Sequence, residues 1–344
     1  MDFLSFIIIC VKVLLVFAGT LLAVLIMVYA ERRVSAFMQG RLGPNRVGPQ
    51  GLLQPIADGI KFLMKEDIIP DGVNKPIYLL APVIMLIPAL MTFAVIPFGS
   101  TITLFDRDII LQVADVNIGI LYILALTSIG VYGIVLAGWA SNSKYTLIGG
   151  LRSSAQLISY ELALGLSVVS IILMSGSLRL NDIVADQQGY LLSWYVFKQP
   201  LAFLIFLIAT YAETNRLPFD LAEAEQELVG GYHTEYSSMK FAMFFMSEYA
   251  NMITAAALTV TLFFGGWDVP LLDEKSLGIW GAMLSVASFI LKMGFFLFLF
   301  IWIRWTFPRF RYDQLMKLGW KVLLPLSLVN IFITGGYLTL AALK

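Results

Sequence analysis

Cysteine and histidine are almost missing from this sequence: Cys10 and His233 are the single representatives of their kinds in 344 residues. One cysteine can form no disulfide within the chain, so the fold does not rest on an oxidising compartment. With one thiol and one imidazole there is no ligand set for zinc, haem or an iron–sulfur cluster, and a histidine-based triad is nearly excluded. Charge is scarce too. Acidic and basic residues make up 13% of the chain and cancel to a formal net charge of zero, which argues against nucleic acid as a partner, since that calls for a basic surface. Apolar residues fill the space instead. They are 59% of the chain, and the mean hydropathy of +0.84 lies far from the balance of a soluble domain. The composition is that of an integral membrane protein whose solvent is the lipid bilayer.

Apolar runs long enough, or nearly so, to cross a hydrocarbon core of about 30 Å fall at 3–30, 77–97, 118–139, 155–175, 191–214, 241–266, 278–303 and 322–342. They predict an all-α polytopic membrane protein of about eight transmembrane helices, forming a single domain over 1–344 with no internal repeat. The first run is too long for a signal-peptide core, follows an acidic residue and lacks a cleavage signature, which makes it a retained span. Most lysines and arginines lie in the loops after spans 1, 3, 5 and 7, so the positive-inside rule places those loops in the cytoplasm or its equivalent and the N-terminus outside. The first inside loop, Glu31 to Pro76, opens with the turn-rich GRLGPNRVGPQG. After it Leu52, Ile56, Ile60 and Leu63 recur at helical spacing, with Asp58, Lys61 and Lys65 on other faces, which predicts an amphipathic helix in the membrane interface.

The stretch Ala212 to Tyr236, AETNRLPFDLAEAEQELVGGYHTEY, sets acids between two apolar segments. The apolar run before it, Leu201 to Ala212, would make about 18 Å of helix, too short to cross the core alone. Either the helix begins earlier, taking in Lys198 and Pro200, or it carries Glu213 and Arg216 toward the membrane. Glu213, Arg216, Asp220, Glu223 and Glu227 follow at spacings of three and four, which would line one helix face, but Pro218 disfavours helix at Leu217 and predicts a break there. Several carboxylates held close together cannot all ionise cheaply, a property that a proton-conducting chain needs. Within the spans, Glu161 and Glu248 each sit six or seven residues past the inside end, roughly 10 Å deep, and Lys292 lies mid-span. Intramembrane ionisable groups are expected at sites or relays facing the bundle interior. The alternatives are a structural glutamate, neutral or paired with an arginine, and a snorkelling lysine.

The blocks ERRVSAFMQGRLGPNRVGPQGLLQPIADGIKFLMKE, GWASNSKYTLIGGLRSSAQLISYE, AETNRLPFDLAEAEQELVGGYHTEYS and RWTFPRFRYDQLMKLGWK resemble, in order, the signatures of one membrane-subunit family of respiratory complex I, the NADH-quinone oxidoreductase. It is the family of the bacterial H subunit, which is subunit 1 in mitochondria. The resemblance covers essentially the whole chain. It implies a subunit at the junction of hydrophilic and membrane arms that builds much of the tunnel by which quinone, the substrate, reaches an iron–sulfur cluster. FMN, NADH and the iron–sulfur clusters would belong to partner subunits, and the partners would be hydrophilic-arm quinone-site subunits and antiporter-like membrane subunits.

By position, the resemblance assigns Glu31, Arg32, Arg41, Asp58 and Lys61 to quinone binding at the entrance and first-loop helix. It assigns Glu161, Glu213, Arg216, Asp220, Glu223, Glu227 and Glu248 to an acidic proton path, to which the buried Lys292 is added from the span reading. Arg304, Arg309 and Asp313 match the last inside loop, which contacts the hydrophilic arm. Gln226 stands where the family commonly has serine. Two other readings remain: a related hydrogenase or ferredoxin-linked complex with the same fold, and a stand-alone ion channel or transporter. The multi-pass placement with long inside loops fits a bacterial inner membrane.

Overall fold

In lipid each backbone polar group must find its partner within the protein, and long apolar runs therefore fold as helices. A computed structural model describes residues 3–104, 107–221, 229–270, 272 and 277–343. Its main helices are α1 (Phe3–Met38), α2 (Gln54–Met64), α3 (Lys75–Met91), α4 (Gly119–Ala140), α5 (Lys144–Ser175), α6 (Pro200–Glu213), α7 (Ser238–Phe263), α8 (Ile279–Thr306), α9 (Tyr312–Lys317) and α10 (Leu324–Ala342). Among the described residues seven candidate spans are long and apolar enough to cross a membrane by themselves, the last running through α9 and α10 as Tyr312–Ala342. The eighth element of the bundle is the shorter α6. The all-α polytopic architecture is thus the one expected. The only sheet among the described residues is a hairpin of β1 (Thr101–Leu104) and β2 (Arg107–Ile110), antiparallel with Thr101 opposite Ile110.

α7 is the centre of the bundle and α1 its edge: 67% of the most apolar stretch of α7 is buried within the protein, against 11% for α1. The main core joins Tyr160, Ala163 and Ile171 of α5 to Ile205, Phe206 and Ala209 of α6 and to Ala256, Val260 and Phe263 of α7. Since lipid is as apolar as a leucine side chain, close approach and polar clasps hold such helices together. Gly149 shows the first: a Cβ there would lie 2.9 Å from the backbone of Gly231. Asn330 shows the second, its Nδ2 donating to Ser170 Oγ at 2.9 Å and to Gln199 Oε1 at 3.1 Å.

α2 forms where the apolar periodicity predicted a helix, although Leu52 falls just before it. Ile56, Ile60 and Leu63 are 50%, 53% and 67% exposed, so its apolar face is left uncovered by this chain, as an interfacial helix requires. Its C-terminal end is held by Ser238, whose Oγ lies 2.8 Å from the carbonyl of Phe62 and 3.0 Å from that of Lys65.

α6 resolves the puzzle of the short span. It begins at Pro200, after a break at Gln199, and ends on Glu213, so about 21 Å of helix carries one carboxylate at its tip. The chain leaves helical geometry at Thr214 and Asn215, with Asn215 at φ 51°, before it reaches Leu217 and Pro218. The break therefore falls a few residues earlier than the proline suggested. Consequently Glu213, Arg216 and Asp220 do not share one helix face.

Candidate functional site

At the end of the bundle where the long loop after α1 packs, an open cavity of about 400 Å³ is lined by Glu31 and Ser35 of α1, Arg41 of the loop, Tyr249 of α7 and Arg304 and Trp305 of α8. The loop that roofs it is pinned by its own backbone: Gly51, at φ 78°, leaves no room for a side chain, since a Cβ would stand 2.3 Å from the carbonyl oxygen of Pro44. Arg32 donates to Asp58 of α2 at 2.5 Å, and Lys61 lies 3.8 Å from the same carboxylate. Trp305 Nε1 donates to Ser35 Oγ at 2.6 Å. Of the five residues assigned to the quinone entrance, Arg32, Asp58 and Lys61 thus form one ion-paired cluster, while Glu31 and the exposed Arg41 line the cavity beside Arg32, Arg41 donating to Gln39 at 2.7 Å.

The floor of that cavity is a seam of charge. Arg216 sends Nη1 to both oxygens of Glu31, at 3.0 and 3.1 Å, and Nε to Glu248 Oε1 at 2.6 Å. Its guanidinium also sits 4.5 Å from the centre of the Tyr249 ring. Arg304 pairs with Glu31 from the other side. Two cations and two carboxylates from α1, α7, α8 and the 214–221 segment therefore neutralise one another where water is largely excluded, and Arg216, Glu31 and Glu248 are each under 10% exposed. A pair so placed is costly to break, because the partner left behind is an uncompensated buried charge.

Glu248 faces two ways. It lines the open cavity and also a small enclosed one of about 20 Å³, shared with Glu161 of α5, Glu213 of α6, Asn251 of α7 and Thr127 of α4. Glu161 is hydrogen-bonded to Ser128. The two span glutamates expected at matched depth do share this cavity, together with Glu213.

The segment after α6 is held by groups that spacing along the sequence does not mark. The Gln156 side-chain amide donates to the carbonyls of Ala212, at 2.8 Å, and Phe219, at 2.7 Å. Phe219 stacks on Phe310 with ring centres 5.4 Å apart, and the Phe310 amide donates to the Pro218 carbonyl at 3.1 Å. Asp220 pairs with Arg309 at 2.9 Å. A buried glutamine within a serine-rich helix carries no periodic signal, and its value lies in carbonyls more than fifty positions away.

Other assigned residues go elsewhere. Arg304, matched to partner contact, belongs to the seam. Arg309 ties the loop between α8 and α9 to Asp220, and Asp313 is exposed, 3.5 Å from Arg311. Lys292 lines neither cavity: its ammonium donates to the carbonyls of Phe264, Gly266 and Asp268, at 2.9, 3.0 and 2.7 Å, beyond the opposite end of α7 from Glu248. Glu223 and Glu227 lie outside the described residues, as does Glu225.

Comparison with known proteins gives the family of the chain. The family model described as NADH dehydrogenase matches residues 11–335. Among the relatives are H subunits of NADH-quinone oxidoreductase. The one numbered 1 in Geobacter sulfurreducens is 58% identical over 335 residues, covering 94% of this chain and 93% of the relative. The one numbered 2 in Koribacter versatilis is 54% identical over 342 residues, 96% of each chain, and that of Flavobacterium johnsoniae is 50% identical over 328 residues, 94% of this chain and 93% of the relative. Family match, near-complete coverage and an all-helical membrane fold lead to one conclusion: the chain belongs to the NADH dehydrogenase family, alongside the H subunits of NADH-quinone oxidoreductase.

Proposed function

We propose that the chain is a membrane subunit of a proton-translocating NADH:quinone oxidoreductase, in which it forms much of the quinone chamber and begins the acidic path that couples quinone reduction to proton movement. It acts as part of the enzyme complex and holds no redox centre of its own; NADH, FMN and iron–sulfur chemistry would come from hydrophilic-arm partners. Antiporter-like membrane subunits would receive the coupled change. The inner membrane, with the N-terminus outside, is the compartment that fits the basic inside loops. The names of the relatives favour a quinone enzyme over a hydrogenase-type complex.

One observation carries the reading: Glu248 lines both the open cavity and the enclosed acid cavity, with Arg216 between it and Glu31. Quinone carbonyls are hydrogen-bond acceptors and the ring is flat and apolar, so a cavity with arginines beside Tyr249 and Trp305 supplies donors and aromatic surface together. A proton drawn into that chamber, or a charge formed there, alters the balance of the seam. Glu248 can pass this imbalance to Glu161 and Glu213, which share its other cavity. In this reading Asp58, Lys61 and Arg32 shape the entrance, and the exposed Asp313 meets the hydrophilic arm.

Glu213→Gln and Glu248→Gln complexes, assembled to normal levels in proteoliposomes, are expected to lose quinone-linked proton translocation at least about tenfold, since each removes one carboxyl of the path. Full pumping by both assembled variants would overturn the assignment.

A further inference from the structure

The polar lining continues past Glu213. A second cavity of about 20 Å³ shares Thr127, Glu213, Thr214 and Asn251 with the first and adds Thr210 of α6 and Thr254 of α7. That volume is room for about one water molecule. Its other walls are apolar, among them Leu124, Leu164 and Phe206. Thr210 stands three residues before Glu213, hence on the same face of α6. It is 1% exposed, and its hydroxyl has no hydrogen-bond partner among the described residues. The Thr254 hydroxyl lies 3.1 Å from that of Thr92, which is itself 2.8 Å from the Ala89 carbonyl. Because the single Thr92 proton goes to that carbonyl, Thr254 is the donor to Thr92, and its own oxygen keeps a lone pair free to accept.

We propose that this cavity holds one ordered water between Thr210, Thr254 and the Glu213 carboxyl, and that Thr210 is a positioning residue for the proton chemistry of Glu213. The inference rests on the proposed role of Glu213 in proton coupling. Burial of a hydroxyl without a partner is unfavourable, and a water gives Thr210 that partner while donating to Thr254. Toward Glu213 the water is adaptable. It donates to the ionised carboxylate and, by turning, accepts from the protonated carboxyl, so it solvates both states in a pocket that is otherwise apolar. An alkyl group at position 210 does neither. The titratable groups around the two cavities are Glu161 from α5, Glu213 from α6 and Glu248 from α7, with Arg216 and Glu31 on the far side of Glu248.

The test uses the assembled complex. Thr210→Val keeps the shape of the side chain and removes the hydroxyl; coupled proton translocation is expected to fall several-fold and its pH profile to shift by about one unit or more, because the ionised form of Glu213 loses more solvation than the neutral form when the water goes. Thr210→Ser is expected to restore the wild-type rate and profile, which a purely packing role would not do. A wild-type rate and profile for Thr210→Val overturns the proposal, as does a high-resolution structure of the wild-type complex with no water density in this cavity. That second measurement decides the matter if Thr210→Val fails to assemble. Glu213→Gln run in parallel separates the two ideas: loss of pumping there with none in Thr210→Val sinks only the water site, and no loss in Glu213→Gln sinks the coupling role itself.

Discussion

Arg216 is the side chain on which the site turns. A planar fork that reaches Glu31 through one nitrogen and Glu248 through another does what a lysine, with its single ammonium, cannot. Replacing it with methionine leaves two carboxylates crowded beneath the open cavity, although Glu31 keeps Arg304. Arg216→Met is therefore expected to cost about 3–5 kcal/mol, seen as loss of assembled complex and faster thermal inactivation. Arg216→Met with Glu248→Gln recovers part of that loss, because the carboxylate that lost its partner is then uncharged; a double variant as unstable as the single one refutes the pairing. Glu31, Arg216 and Glu248 were each legible as ionisable residues in or beside spans. Which of them meet was not, because positions 31, 216, 248 and 304 are joined only by the way four elements pack.

At the scale of elements, two helix ends carry the polar work. α6 stops on Glu213, and Gln156 holds the carbonyls of Ala212 and Phe219 on either side of the break, so the described charged residues of 213–221 have three destinations: Glu213 the enclosed cavity, Arg216 the seam and Asp220 its pair with Arg309. Spacing alone predicted a common face, and the turn at Asn215 removed it. At the other end of the core, Lys292 meets three carbonyls beyond the C-terminus of α7 and lies 4.7 Å from the centre of the Trp194 ring. An ammonium among carbonyls at a helix C-terminus is favoured by the helix dipole and caps groups that lipid cannot satisfy. Lys292→Met is expected to reduce the assembled complex several-fold, whereas Lys292→Arg, which keeps the charge and cannot give up its proton, is expected to retain proton pumping. Pumping lost in Lys292→Arg with assembly intact would instead return Lys292 to the proton path.

Across the whole molecule the two sides of the bundle differ in how their loops are joined. On the side of the hairpin, Asp115 before α4 is bound by Arg179 after α5, and Asn181 donates to Gln112 at 2.6 Å. The hydrogen bond from Arg179 holds the Asp115 carboxyl below the usual carboxylate range, against the opposing effect of burial. A folded value below the unfolded one stabilises above the ordinary aspartate value of about 3.9 and is lost as pH falls through the folded value. Acidification is thus expected to loosen this junction, read as pepsin cleavage of the loops at 111–118 and 176–181, while neutral and alkaline pH leave it unchanged. Asp115→Asn should be cut readily across the whole acid range. On the opposite side the joins are the seam and the Asp220–Arg309 pair, both tied to the proposed function. The all-α polytopic architecture, the long apolar spans, the amphipathic α2 and the rarity of metal ligands follow from the sequence itself, because the bilayer demands about 20 apolar residues per span and every charge within a span stands out against them. Where α6 ends, why Arg304 turns inward, why Lys292 serves a helix end and how Glu248 comes to face two cavities were decided by tertiary packing. Those features depend on distances between residues far apart in the chain, and a buried charge takes the partner that the fold brings within about 3 Å rather than the one that spacing suggests.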